Sequence, residues 1–187
     1  MKLYHFTSSE HVGGCLKEGI TKGFLPLFIE GNISLLPNAQ WLTSNSEFTQ
    51  TWAENSTLPY DRTAFRLKIN IPKTSLKQLY KWSDICDGLP LLPDFNTYGD
   101  YENWWIFKGR IKPSWIKSVE KKVLCPLCGE LMKLKEKTDV GDYYNCISCR
   151  FTINVDAYGG QPTLQQIYYP EKLPIPSIYK YVLGIKE

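Results

Sequence analysis

Four cysteines in two pairs, Cys125-Pro-Leu-Cys128 and Cys146-Ile-Ser-Cys149, carry the strongest chemical signal in this chain. A two-residue gap lets a tight turn aim both sulfurs of a pair at one metal ion. Two such pairs close a tetrahedron of thiolates around Zn2+ and leave no position for water, so the spacing predicts a structural zinc. Two redox dithiols are the alternative. They leave unexplained Gly129, directly after the first pair, and the hairpin pattern of Leu131 to Lys135, Val140-Gly141-Asp142 and Tyr143-Tyr144. A second group of chemical interest lies upstream, in Leu3-Tyr4-His5-Phe6-Thr7, Trp41-Leu42-Thr43 and Tyr101-Glu102-Asn103-Trp104-Trp105. Each segment reads as a short strand, and each carries a polar or aromatic residue that a small-molecule pocket can use.

The elements that must position these residues follow from periodicity. Residues 2–7 read as a strand. Ser8 and Ser9 can cap a helix running to about Lys17, with Val12, Leu16 and Ile20 on one side and Gly19 as the stop. Gly13 and Gly14 weaken it, each by roughly 1 kcal/mol relative to Ala. Residues 21–38 look like a structured loop and residues 39–43 like a strand. Ser44-x-x-Glu47 reads as a capping box that opens a helix, with Phe48 and Trp52 one turn apart. From Thr63 to Ile71, apolar Phe65, Leu67, Ile69 and Ile71 alternate with Arg66, Lys68 and Asn70, which predicts a half-buried strand ended by Pro72. Ser75-x-x-Gln78 starts a further helix carrying Leu76, Leu79 and Tyr80. Residues 84–100 read as loop, 101–107 as the third key strand, and 110–119 as a last short element.

Composition shifts near Val123, where the cysteine-bearing module begins. The reading is therefore three parts: residues 1–120, a module at 121–156, and a tail at 157–187 too apolar for a linker, expected to pack back as extended chain. The fold class is α+β. The module resembles a zinc ribbon, and such ribbons bind nucleic acid or protein or brace a fold.

The strand and helix around His5, ending Leu16-Lys17-Glu18-Gly19-Ile20, together with Trp41 and Glu102 in order, resemble the ADP-ribosyltransferase superfamily. The likeness is to the branch of the poly(ADP-ribose) polymerases and diphtheria toxin, and it covers roughly residues 2–119. It implies a split β-sheet core with a few helices and NAD as the substrate. By that resemblance His5 bonds the adenosine ribose, Phe6 holds the nicotinamide amide through its backbone, and Thr7 follows as the hydroxyl residue. Trp41 stands where the polymerases have Tyr, and Phe6 where they usually have Gly. Thr49 and Trp52 sit at the offsets of a further hydroxyl and of an aromatic that stacks on nicotinamide. Glu102 falls at the catalytic carboxylate, which is bonded to the ribose 2′-hydroxyl and stabilises the cation as the nicotinamide bond breaks.

The expectation is an NAD-dependent ADP-ribosyltransferase that modifies a macromolecule, with RNA or DNA favoured over protein, and with structural Zn2+. By analogy it would act as a toxin or phage-conflict factor with an antitoxin or inhibitor protein as partner. A module that binds NAD, ADP-ribose or nucleic acid without chemistry is the alternative. RNA 2′-phosphotransferase chemistry ranks third, because His5, His11, Arg62, Arg66 and Arg110 are few for that task. A net charge of +3 is too small to imply nucleic-acid binding by itself. Lysines at 108, 112, 117, 121, 122, 133, 135 and 137 and Arg110 form a local excess, interrupted by Glu120, Glu130 and Glu136. The start lacks the apolar stretch of a signal peptide, and no segment is long enough to span a membrane. With Cys15 and Cys86 far apart, cysteine usage suits a reducing compartment, so a cytoplasmic location is expected.

Overall fold

A computed structural model describes residues 2–54, 58–91, 100–139, 141–155 and 167–168. The chain divides into two compact units, Met1–Lys122 and Val123–Glu187. It is an α+β protein of mostly antiparallel strands and few helices. Among the described residues no helix is long and apolar enough to cross a membrane.

The first unit is built on a six-stranded antiparallel sheet. Its strands are β1 (Leu3–Thr7), β4 (Ala39–Thr43), β5 (Phe65–Ile69), β6 (Leu79–Lys81), β7 (Trp104–Lys108) and β8 (Ile116–Lys121), in the spatial order β6-β7-β4-β1-β5-β8. Alternation along each strand gives the sheet two apolar faces. On one face Leu3, Leu42, Leu67, Ile69 and Phe107 form a core with Ile20, Ile71 and Ile111, and Val12 and Cys15 of helix α1 (Ser9–Glu18) pack on it. On the other, Ala39, Trp104 and Ile106 meet Leu25, Trp82 and Cys86. Leu67 and Ile69 are 0% and 1% exposed, so the alternation read at residues 63–71 holds where β5 runs.

Gly19 ends α1 with φ +86, and its N–H bonds the Cys15 carbonyl at 2.9 Å. A Cβ there would stand 2.1 Å from the Ile111 carbonyl oxygen, so both conformation and space require glycine. Leu16, expected on the packed side of the helix, is 44% exposed, and Cys15 takes that contact instead.

Three further expectations are corrected. Residues 21–38 form a hairpin, β2 (Phe24–Ile29) with β3 (Asn32–Pro37), closed by Glu30 and Gly31 at φ +50 and +82. That is the two-residue turn with both central φ positive, and glutamate at its first position hides it from the sequence. Pro26 and Pro37 also argue against a strand, but in a two-stranded ribbon every strand is an edge. The capping box at Ser44 opens no helix. The Asn45 side chain accepts from the Glu47 N–H at 2.9 Å, the Asn45 N–H donates to the Thr43 hydroxyl at 3.0 Å, and helix α2 is only Thr51–Glu54. Residues 73–78 form a 3-10 helix, after which Leu79 and Tyr80 enter β6 rather than a helix. Helix α3 (Trp82–Ile85) and a 3-10 turn at Cys86–Gly88 then occupy part of the expected loop. Residues 110–119 hold a 3-10 turn, Pro113–Trp115, and the start of β8.

The second unit is a sheet in the order β12-β11-β10-β9, made of β9 (Lys133–Thr138), β10 (Gly141–Asn145), β11 (Thr152–Val155) and β12 (Ile167–Tyr168). Val123, Met132, Tyr144, Phe151, Ile153 and Val155 form a small core with Cys125 and Cys146. The expected packing of the tail, residues 157–187, lies outside the described residues except for the short pairing of β12 with β11.

Candidate functional site

In the second unit the two cysteine pairs form matched turns. The Cys125 N–H bonds the Glu130 carbonyl and the Cys146 N–H bonds the Phe151 carbonyl, each at 2.8 Å, so both turns span six residues. The residue after each second cysteine has positive φ, +75 at Gly129 and +56 at Arg150. These turns bring all four sulfurs within 4.8 Å of one another, with Cys128 and Cys146 3.6 Å apart. Sulfurs at about 2.3 Å from a tetrahedral zinc lie roughly 3.8 Å from each other, so the donor set fits that ion. The thiols also shift each other. Cys149 is pushed up to about 12, first by its hydrogen bond with Cys128, while Cys128 is lowered, first by the Glu130 backbone and then by Cys149. The four cysteines could hold a zinc ion.

In the first unit β1 pairs with β5 over five rows, from Leu3↔Ile69 to Thr7↔Phe65, but meets β4 only at Tyr4↔Thr43. Beyond that row the His5 imidazole lies across the gap, and its Nδ1 is 2.9 Å from the Trp41 carbonyl oxygen. Nδ1–H therefore donates to the carbonyl, which leaves Nε2 as the acceptor. Burial lowers the His5 pKa most; the Trp41 carbonyl raises it, and the positive charge of Arg62 lowers it further. The residue as a whole is half-buried.

Trp41 stands at the centre of an aromatic cluster, 5.0 Å from Trp82 and 5.6 Å from Trp104 between ring centroids. Its indole N–H donates to the Phe24 carbonyl at 2.9 Å, which ties hairpin β2–β3 to the cluster. Trp52 and Tyr101 pack against the same residues, and Trp52 donates to the Gln50 side chain at 3.2 Å. By strand alternation the side chains of His5 and Trp41 leave opposite faces of the sheet: His5 shares a row with core Leu67, whereas Trp41 lies on the side of Thr43 and Tyr4. Their link is the imidazole-to-carbonyl hydrogen bond.

Glu102 does not begin the strand as expected. It sits in a 3-10 turn, Tyr101–Asn103, after Asp100 with φ +52, and β7 starts at Trp104. The turn is fastened to the end of β4. Ser44 N–H donates to the Asn103 carbonyl at 2.9 Å, Ser44 Oγ to Asn103 Oδ1 at 2.8 Å, and Asn45 Nδ2 to Asp100 at 2.6 Å. The carboxylate is exposed beside an open hollow of about 350 Å³ lined by Lys81, Ser83, Cys86, Asp87 and Tyr101.

The remaining predicted residues divide. Phe6 is 7% exposed and packs on Phe48 at 5.9 Å, so its side chain belongs to the core. Thr7 is buried; burial pushes the Cys15 thiol pKa up, and the Thr7 hydroxyl lowers it by less. Thr49 is exposed and shares no helix with Trp52. Two residues given no place in the candidate NAD site by the sequence are prominent: Trp82, which is fully buried against Trp41, and Arg62, named only among the few arginines, whose guanidinium lies 4.7 Å over the Trp52 ring. No local pattern connects position 62 or 82 to position 41; only the folded sheet does. Compared with protein-family models, curated proteins and solved structures, the chain shows no match.

Proposed function

We propose that the first unit is an NAD-dependent ADP-ribosyltransferase and that the second holds a structural Zn2+ through Cys125, Cys128, Cys146 and Cys149. The observation that carries the transferase reading is the placement of His5, Trp41 and Glu102. They stand on or directly before β1, β4 and β7, three consecutive strands of one sheet. From the row of His5 to Glu102 is two strands across and three residues along, about 10 Å in each direction, which suits a dinucleotide that reaches through the gap between β1 and β4, since the His5 and Trp41 side chains leave opposite faces.

His5, kept neutral with Nε2 as acceptor, would take a ribose hydroxyl. Trp41 and Trp52 offer apolar walls for the nicotinamide. Glu102 would accept from the ribose 2′-hydroxyl and oppose the positive charge that grows on the ring as nicotinamide departs. A carboxylate aimed at developing charge acts on the transition state more than on the ground state. The acceptor proposed is nucleic acid, on the lysine excess from Lys108 to Lys137 and the plentiful tyrosines. Protein is the other acceptor class.

Labelled NAD incubated with mixed RNA, DNA and protein should mark one fraction. Glu102→Gln should lower nicotinamide release by about 10²–10³, with the Tm nearly unchanged because the side chain is exposed. No label in any fraction, from folded zinc-loaded protein, rejects the transferase. One observation favours a second reading, a module that binds NAD without turning it over: Trp41 is already enclosed by Trp82 and Trp104, and its N–H is bound to Phe24. Stabilisation by NAD without nicotinamide release identifies that case.

A further inference from the structure

At the loop before β5 and the strand itself, Arg66 and Lys122 are neutralised by acidic partners. Arg66 is bonded to Glu120 and to the Ser46 carbonyl. Lys122 donates to Asp61 at 3.2 Å, and the other Asp61 oxygen accepts from the N–H and hydroxyl of Thr63, both at 2.7 Å. Arg62 differs. Among the described residues it makes no ion pair, and its guanidinium is stacked on Trp52 instead. Stacking on an indole holds the fork flat and leaves its N–H edge for a planar or tetrahedral oxyanion, which arginine can grip with two parallel bonds.

The surroundings of that edge narrow the anion. Trp52 packs on the cluster of Trp41 and Trp104, and the Trp41 carbonyl holds the His5 ring. Burial lowers the His5 pKa most, and the positive charge of Arg62 lowers it less. A guanidinium and a flat apolar wall therefore lie face to face, with the aromatic cluster of Trp41 beyond them. Those two groups match a phosphate and a base or nicotinamide ring.

We propose that Arg62 is the phosphate-binding residue of this site and takes the diphosphate of a nucleoside diphosphate group. Identification of that group as part of NAD rests on the transferase reading; the diphosphate site does not.

Calorimetric titration of the full chain with adenosine, ADP, ADP-ribose and NAD tests this, on the wild type, Arg62→Gln and Arg62→Lys. ADP, ADP-ribose and NAD should each lose about tenfold or more in affinity with Arg62→Gln, the scale of one charge-assisted hydrogen-bond pair, and part of it should return with Arg62→Lys. Adenosine should bind both variants as it binds the wild type. Unchanged thermal unfolding of both variants separates this loss from misfolding. Arg62-dependent binding of ADP without NAD binding upholds the diphosphate site and removes the transferase. NAD binding insensitive to Arg62 overturns the inference and leaves the transferase standing. Equal losses for adenosine and ADP, no ADP binding by the wild type, or displacement by a short oligonucleotide but not by ADP, also overturns it.

Discussion

The two units reach their candidate sites by opposite routes. In Val123–Glu187 each pair of sulfurs is aimed by a turn that closes within six residues, Cys125 to Glu130 and Cys146 to Phe151. In Met1–Lys122 the groups of interest meet only through distant pairings, such as Tyr4 with Thr43 and Thr43 with Trp104. The first unit rests on apolar cores on both faces of a sheet; the second has a small core into which two of the four cysteines are built. A site made by local turns should depend on its ion, whereas a site made by sheet pairing should depend on what packs under it.

Metal removal should break that contrast open most widely. Structural zinc in small modules contributes apparent free energies of about 10–16 kcal/mol at neutral pH, so its loss generally abolishes the fold. A strong chelator, or Cys146→Ser, should therefore release hydrogen-exchange protection throughout β9–β11 while β1, β4 and β5 keep theirs. Hydrogen exchange read by mass spectrometry resolves the two units. Equal loss in both would show that the ion also supports the sheet, and no loss in either would leave no structural role for zinc.

The reverse experiment removes packing from the first unit. Trp82 is 0% exposed and abuts Trp41, and truncating a buried aromatic costs about 3–5 kcal/mol. Trp82→Ala should lower the unfolding free energy of the first unit by that amount, with zinc content of the second unchanged in a thiol-release assay. Zinc lost in proportion to unfolding would contradict the separation.

This contrast also explains how much could be read from the residues alone. The cysteine spacing, the glycine after Cys128 and the strand pattern to Tyr144 are properties of neighbours in sequence, and the described turns carry all of them. Strand β5 was legible for the same reason, since alternation is local. The helix expected at Ser44 failed because Asn45 took the backbone group that the capping box needed, and the Asn103 turn, 59 residues away, took the Ser44 hydroxyl. Hairpin β2–β3 was missed because a glutamate fills a turn position that usually signals itself with Asn or Gly. Trp82 gave no signal and Arg62 only that of one arginine among few, since their value lies in what pairing brings beside them.

The smallest effect tests the junction of the two sheet strands at His5. Burial holds the folded imidazole below its ordinary 6.5, against the pull of the Trp41 carbonyl and with added repulsion from Arg62. The unfolded chain therefore takes up a proton near pH 6.5 while the fold still resists it. Stability is complete above that pH and falls as pH drops from 6.5 through the folded-state value, below which both states carry the charge and the loss stops growing. Each unit of depression corresponds to about 1.4 kcal/mol. Urea unfolding of the first unit between pH 8 and pH 5, a window above the carboxylates, should show this slope in the wild type. His5→Gln keeps an N–H that can reach the Trp41 carbonyl but has nothing to titrate, so its curve should be flatter. If the two curves run parallel, His5 is as free to protonate in the fold as in the unfolded chain. The gap between β1 and β4 would then be open to water, and the neutral acceptor that a ribose hydroxyl requires would be absent at mildly acidic pH.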